Sequence, residues 1–96
     1  MTGPEDRVLV VGLARRDDLA GHALQCSLLV GLGAEEDVRA ARREFAHLDN
    51  VMFTPGSRED IPWRDHYFTV VLDAEGGEPT PAMQRVLAPG GRIIRP

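Results

Sequence analysis

An α/β domain built on a parallel sheet is what this sequence predicts, and three observations predict it. Short β-branched runs ended by glycine, RVLVVG at 7–12 and SLLVG at 27–31, read as strands buried on both faces. Residues 33–47, after the second run, carry apolar side chains at helical spacing. Strand and helix then alternate to the last residues, and crossovers of that kind are right-handed, which makes the sheet parallel with helices on both faces.

Each element has its own signal. Residues 1–6 are polar, with Gly3 and Pro4, and read as a frayed end. After the first strand, Leu19, Ala20, Ala23 and Leu24 fall at helical spacing behind Asp17 or Asp18 as a cap, so a short helix is expected within 13–25 despite Gly21. In 33–47, Val38, Ala41, Phe45 and Leu48 recur at three- and four-residue steps. Glu35, Glu36 and Asp37 crowd its first turn and Arg42 and Arg43 its last, both favourable to the helix dipole. Asn50 opens a third strand, VMFT, which Pro55-Gly56 ends. An acidic loop leads to the fourth strand, 67–73, and Ala74-Glu75-Gly76-Gly77 is a flexible link. Thr80 followed by Pro81 is a helix start, with Met83, Val86 and Leu87 on one face. Pro89-Gly90-Gly91 should end that helix and 92–95 form a fifth strand.

Composition sets the bounds. The 96 residues suffice for one minimal domain, 1–96, that buries roughly 60–65% of its unfolded surface. Fifteen acids against eleven arginines and no lysine give a net charge of −4, which offers no electrostatic footprint for nucleic acid. Cys26 stands alone, so no internal disulfide and no cysteine-rich metal site is expected. His22, His47 and His66 lie on separate elements without metal-ligand spacing. No apolar run approaches the ~18–20 residues of a spanning helix and MTGPEDR has no signal-peptide core, so a soluble cytoplasmic protein is expected.

The stretch NVMFTPGSREDIPWRDHYFTVVLD at 50–73, answered by RVLAPGGRIIRP at 85–96, carries a family resemblance. It resembles the second half of the class I S-adenosylmethionine-dependent methyltransferase domain, of the methyltransferase type 11 kind. There a strand ends in a Gly-Asp pair, an acidic loop with a Leu-Pro-Phe-like turn and an apolar strand follow, and Leu-x-Pro-Gly-Gly opens the next strand. The corresponding pieces here are Gly56-Ser57, Glu59-Asp60-Ile61-Pro62-Trp63, Phe68 to Leu72, and Leu87-Ala88-Pro89-Gly90-Gly91. The resemblance implies a three-layer Rossmann-like sheet of five parallel strands in the order 3-2-1-4-5. It also implies a truncated domain, without the family's last two strands, its N-terminal lid, or the helix directly after the fourth strand.

In an open parallel sheet a ligand sits beyond the carboxyl ends of the strands at the switch point. The cleft positions are Gly12, Arg15, Arg16, Gly33, Ser57, Arg58 and Asp73. The family's glycine-rich turn keeps Gly12 here but has Ala14 and Arg16 in place of its other two glycines, so side chains enter the cofactor's path. The family also places acids inside the first strand, at the end of the second and after the third. Those positions are Val10, Gly33 and Ser57. A charge-assisted hydrogen bond is worth roughly 1.5–3 kcal/mol, so losing the ribose acid alone weakens binding by about one to two powers of ten. Glu35 or Glu36 could stand in for that acid, although both suit the first turn of a helix.

Three functional readings follow. In the first, the chain is a degenerate methyltransferase-like domain without catalysis or cofactor, serving as a binding or assembly module. In the second, it is a small methyltransferase that retains S-adenosylmethionine and is completed by a partner subunit. In the third, Arg15, Arg16 and the helix end hold an anionic metabolite at the cleft. Asp73 is the candidate for a substrate-facing group, and Trp63 for covering a ligand or partner. The fifth strand, with Ile93 and Ile94 between Arg92 and Arg95, is an open edge suited to a homodimer or a protein partner.

Overall fold

The structure, a computed structural model, describes residues 3–14 and 19–95. Five strands, β1 (Arg7–Val11), β2 (Leu28–Gly33), β3 (Val51–Pro55), β4 (Phe68–Asp73) and β5 (Leu87–Ile94), form one sheet in the order β3-β2-β1-β4-β5. Every pairing is parallel, with Val8 between Leu29 and Val70, and Val11 between Leu32 and Asp73. The expected order and direction are those found.

Helices α1 (Leu19–Gln25) and α2 (Glu35–Glu44) lie on one face of the sheet, where Leu19, Ala23, Val38 and Ala41 meet Val8, Val10, Leu29, Phe53 and Val70. Helix α3 (Pro81–Val86) lies on the other with the β3–β4 crossover, and there Met83, Val86 and Ile61 meet Leu9, Val11, Val30, Phe68 and Val71. That crossover contains no helix, and neither does the segment between β4 and α3. Instead Arg85 on α3 staples the crossover down, donating to the carbonyls of Ile61 (2.6 Å) and Trp63 (2.8 Å) and pairing with Asp65 at 2.7 Å.

Three boundaries differ from the sequence reading. Gly31 does not end the second strand, which runs to Gly33: it is a packing glycine, since a Cβ there would lie 2.6 Å from the Phe53 ring and 2.8 Å from Leu13. Gly33 is therefore strand, and the helix expected over 33–47 is shortened to Glu35–Glu44 with extended Ala34 before it. Third, the helix beginning at Pro81 stops at Val86, and Leu87 already pairs with Phe68. The next β5 pairing is Arg92 with Val70, so Ala88-Pro89-Gly90-Gly91 bulges opposite Thr69 alone. Proline brings no N–H to the ladder and Gly90 adopts φ +79°, which together allow the bulge.

Two polar anchors fix the ends. Asn50 donates its amide to the carbonyls of Ala23 (2.6 Å) and Cys26 (3.1 Å), tying the end of α1 to the start of β3. At the amino ends of the central strands, Thr69 donates to Asp6 at 2.9 Å and Gly3 N–H donates to the same carboxylate at 2.7 Å. Among the described residues no helix is long and apolar enough to cross a membrane.

Candidate functional site

The carboxyl ends of β1 and β4 lie side by side, so Gly12 and Asp73 meet at the switch point of the sheet. Gly12 N–H donates to Leu32 O at 2.8 Å, and Ala74 N–H donates to Val11 O at 2.9 Å. Gly12 adopts φ +106°, a left-handed conformation open to glycine, and its bare backbone faces the segment after β4. A Cβ on Gly12 would fall 2.8 Å from Cγ of Glu75, so Glu75 already covers the glycine.

Asp73 is buried, with its side chain fully inaccessible, which demands compensation of its charge. Arg58 supplies it. Nη1 donates to Oδ1 at 3.0 Å, while the N–H groups of Glu75 (3.2 Å) and Gly76 (3.1 Å) donate to the same oxygen. Oδ2 lies 3.0 Å from Nη2 but outside hydrogen-bonding alignment, so that contact is Coulombic. The hydrogen bond to Asp73 holds the Arg58 guanidinium protonated even beyond its ordinary range, and the charges of Asp73, Glu75 and Glu59 add to this against partial desolvation. The same guanidinium donates to the carbonyls of Gly76 (2.6 Å) and Glu78 (2.7 Å).

The other cleft positions are arranged differently. Gly33 ends β2 against Leu13, with a Cβ there 3.0–3.2 Å from three Leu13 side-chain atoms. Ser57 is exposed and exchanges backbone hydrogen bonds with Asp60, forming a tight turn. Val10 points into the apolar face shared with α1 and α2. Glu35 and Glu36 are exposed on the first turn of α2. Arg15, Arg16 and the Asp17 or Asp18 cap lie outside the described residues. The structure thus brings Gly12, Arg58 and Asp73 into one cluster, with Gly33 one strand removed and Ser57 turned outward.

Packing bears on two further expectations. Asp73 is enclosed by Arg58 and its own turn rather than open to a substrate. Trp63 is not a free cover: its ring packs on Tyr67 and Phe68 with centroids 5.9 and 5.7 Å away, within the α3-side core. Tyr67 in turn lies under the guanidinium carbons of Arg7 and Arg64, at 5.0 and 5.3 Å. Among the described residues no three histidine, cysteine or acidic side chains are grouped to hold a metal ion.

Sequence reasoning placed Glu75 in a flexible link and Arg95 on the fifth-strand edge, and gave neither of them, nor Leu13, a place at the cleft. Arg95 donates to Gly77 O at 2.7 Å, so Arg58 and Arg95 together take three successive carbonyls, those of Gly76, Gly77 and Glu78. The available signal was the adjacent Gly76-Gly77 pair, which the fold holds at positive φ (+78° and +96°).

This sheet and its crossovers are the fold of class I S-adenosylmethionine-dependent methyltransferases. The YcgJ protein from Bacillus subtilis superposes with a TM-score of 0.81 at 21% identity, covering 98% of this chain and 44% of that one. A putative methyltransferase solved in complex with the Haloferax volcanii Trm112 activator gives 0.81 at 23% identity, over 98% and 45% of the two chains. A SAM-dependent methyltransferase from Aquifex aeolicus gives 0.78 at 21% identity, over 93% and 54%. The chain therefore spans about half the length of the structures it resembles. No protein-family model matches the sequence, and no curated protein matches it.

Proposed function

We propose that this chain is a non-catalytic binding or assembly module on the methyltransferase fold, and that it does not hold S-adenosylmethionine in the family's manner. The observation that carries this reading is Leu13 against Gly33. By the resemblance, the end of the second strand is where an acid grips both ribose hydroxyls. Here that position has no side chain, and apolar Leu13, itself 1% exposed, fills the volume an acid would use. Val10 and Ser57, at the other two acid positions, add no carboxylate, and Asp73, the acid nearest the switch point, is already paired with Arg58. The test is calorimetry with S-adenosylmethionine and S-adenosylhomocysteine. No binding up to hundreds of micromolar is expected, and a dissociation constant in the low micromolar range overturns the reading.

A second reading, a small methyltransferase completed by a partner, is favoured by one observation: a neighbour of the same fold was solved with an activator protein. The partner surface we assign is β5, which among the described residues pairs on one side only, with β4. Its occupant is a second copy of the chain or a protein partner. The anionic-metabolite reading rests on Arg15 and Arg16 and stays a proposal on those residues, because Arg58 is already engaged by Asp73.

A further inference from the structure

We infer that residues 74–78 are a strap latched shut over Gly12, with Arg58 as the latch. Five side chains make the device, those of Asp73, Arg58, Arg95, Glu75 and Thr80. Asp73 Oδ1 caps the N–H groups of Glu75 and Gly76, which starts the strap in a tight turn away from β4. Arg58 then reaches across from the loop after β3, pairing with Asp73 while donating to Gly76 O and Glu78 O on either side of Gly77. Arg95, just past the end of β5, holds Gly77 O from the opposite flank. Glu75, 3.7 Å from Arg58 through Oε1, lies with its Cγ in the space above Gly12. Thr80 closes the far end, since its hydroxyl donates to Arg58 O and accepts from Met83 N–H at 3.1 Å as the cap of α3.

The chemistry explains why this is a latch and not merely a loop. The strap contributes no apolar side chain to either core, and its two glycines carry the largest conformational freedom to be lost on ordering. Its order therefore depends on the hydrogen bonds just named. A planar guanidinium is suited to hold several acceptors at once, and Arg58 holds a carboxylate and two carbonyls. Release of that one side chain frees two of the three held carbonyls and lets Glu75 swing off Gly12, exposing the backbone at the switch point. The inference concerns access to the cleft and stands whatever the cleft holds.

Hydrogen exchange on the ligand-free chain tests it, so its outcome is independent of the calorimetry above. Arg58→Met alone would strand a buried carboxylate and risk unfolding, so the variant is Arg58→Met with Asp73→Asn, which removes both charges and keeps the acceptor for Glu75 and Gly76. Exchange at residues 74–78 is expected to accelerate at least tenfold while β1 and β2 keep wild-type protection. Unchanged exchange at 74–78, or acceleration shared equally by β1 and β2, overturns the latch. Should the double variant not fold, Arg58→Lys decides: it keeps a cation beside Asp73 but lacks the planar fork that spans Gly76 O and Glu78 O, and faster exchange confined to the same residues supports the latch, whereas none rejects it.

Discussion

Leu13 lies so close to Gly33 that a single added carbon on the glycine would stand 3.0 Å from the leucine Cβ. Gly33 ends β2 and Leu13 lies two residues past the end of β1, so the leucine occupies the outlet of the second strand as a plug. Gly33→Asp, which restores an acid at that position, should therefore destabilise rather than create a site. Overpacking typically costs about 1–3 kcal/mol. Urea unfolding is expected to show a lower midpoint with an unchanged slope, and an equal or higher midpoint would show that Leu13 moves aside freely.

Thr80 is the helix cap that the sequence announced, and it also anchors the loop after β3 through Arg58 O. Thr80→Ala is expected to cost about 1 kcal/mol, as loss of a side-chain cap does, whereas Thr80→Ser should recover most of it. Equal unfolding midpoints for the alanine and serine variants would count against the cap.

Asp6 gives the chain an acid-sensitive limb. The Gly3 N–H bond, followed by the Thr69 hydroxyl, holds its carboxyl below the ordinary value of 3.8, against a smaller opposing effect of desolvation. A folded pKa below the unfolded one means that the contribution is full above 3.8 and is lost as pH falls through the lowered folded value. Denaturation midpoints measured from about pH 5 down to about pH 2.5 should fall less steeply for Asp6→Asn than for wild type. Parallel acid limbs would refute the assignment.

Self-association should run through β5. The strand carries exposed Arg92, and exposed Arg95 follows its end, with Ile93 and Ile94 half-buried between them, an edge that is blunted by charge yet able to pair. Light scattering at tens of micromolar is expected to give twice 10.5 kDa, and substitution of Ile93 by proline should return the monomer. A concentration-independent monomer removes the homodimer and leaves a protein partner to be sought by pull-down.

Legibility differed between fold and site for physical reasons. Hydrophobic runs such as Val8–Val11 announce a central parallel strand because burial on both faces forbids polar alternation, and Thr80-Pro81 announces a helix because capping is local chemistry. Gly31 misled because an internal glycine in a strand signals the closeness of Phe53 and Leu13, which only the fold reveals. The Arg58–Asp73 pair was half visible: both residues were placed at the cleft, but a contact across 15 positions has no local signature. Arg95 and Gly77, 18 positions apart, are the same case. The boundary at Val86 slipped because the Pro89-Gly90 bulge lies inside the strand it was expected to precede.

The position of β1 at the centre of the sheet has a consequence during synthesis. Its first neighbour, β2, follows within a few turns of chain, but its second is β4, and Arg7 meets Thr69 across 62 positions. At ~5–20 residues per second, a ribosome needs about 3–12 s to supply that distance. For those seconds the apolar run RVLVV presents an unsatisfied edge to solvent or to other nascent chains, and a segment of that composition pairs readily with copies of itself. Yield of the native chain thus depends on how quickly translation delivers residues 68–73, and on whatever shields β1 until it does.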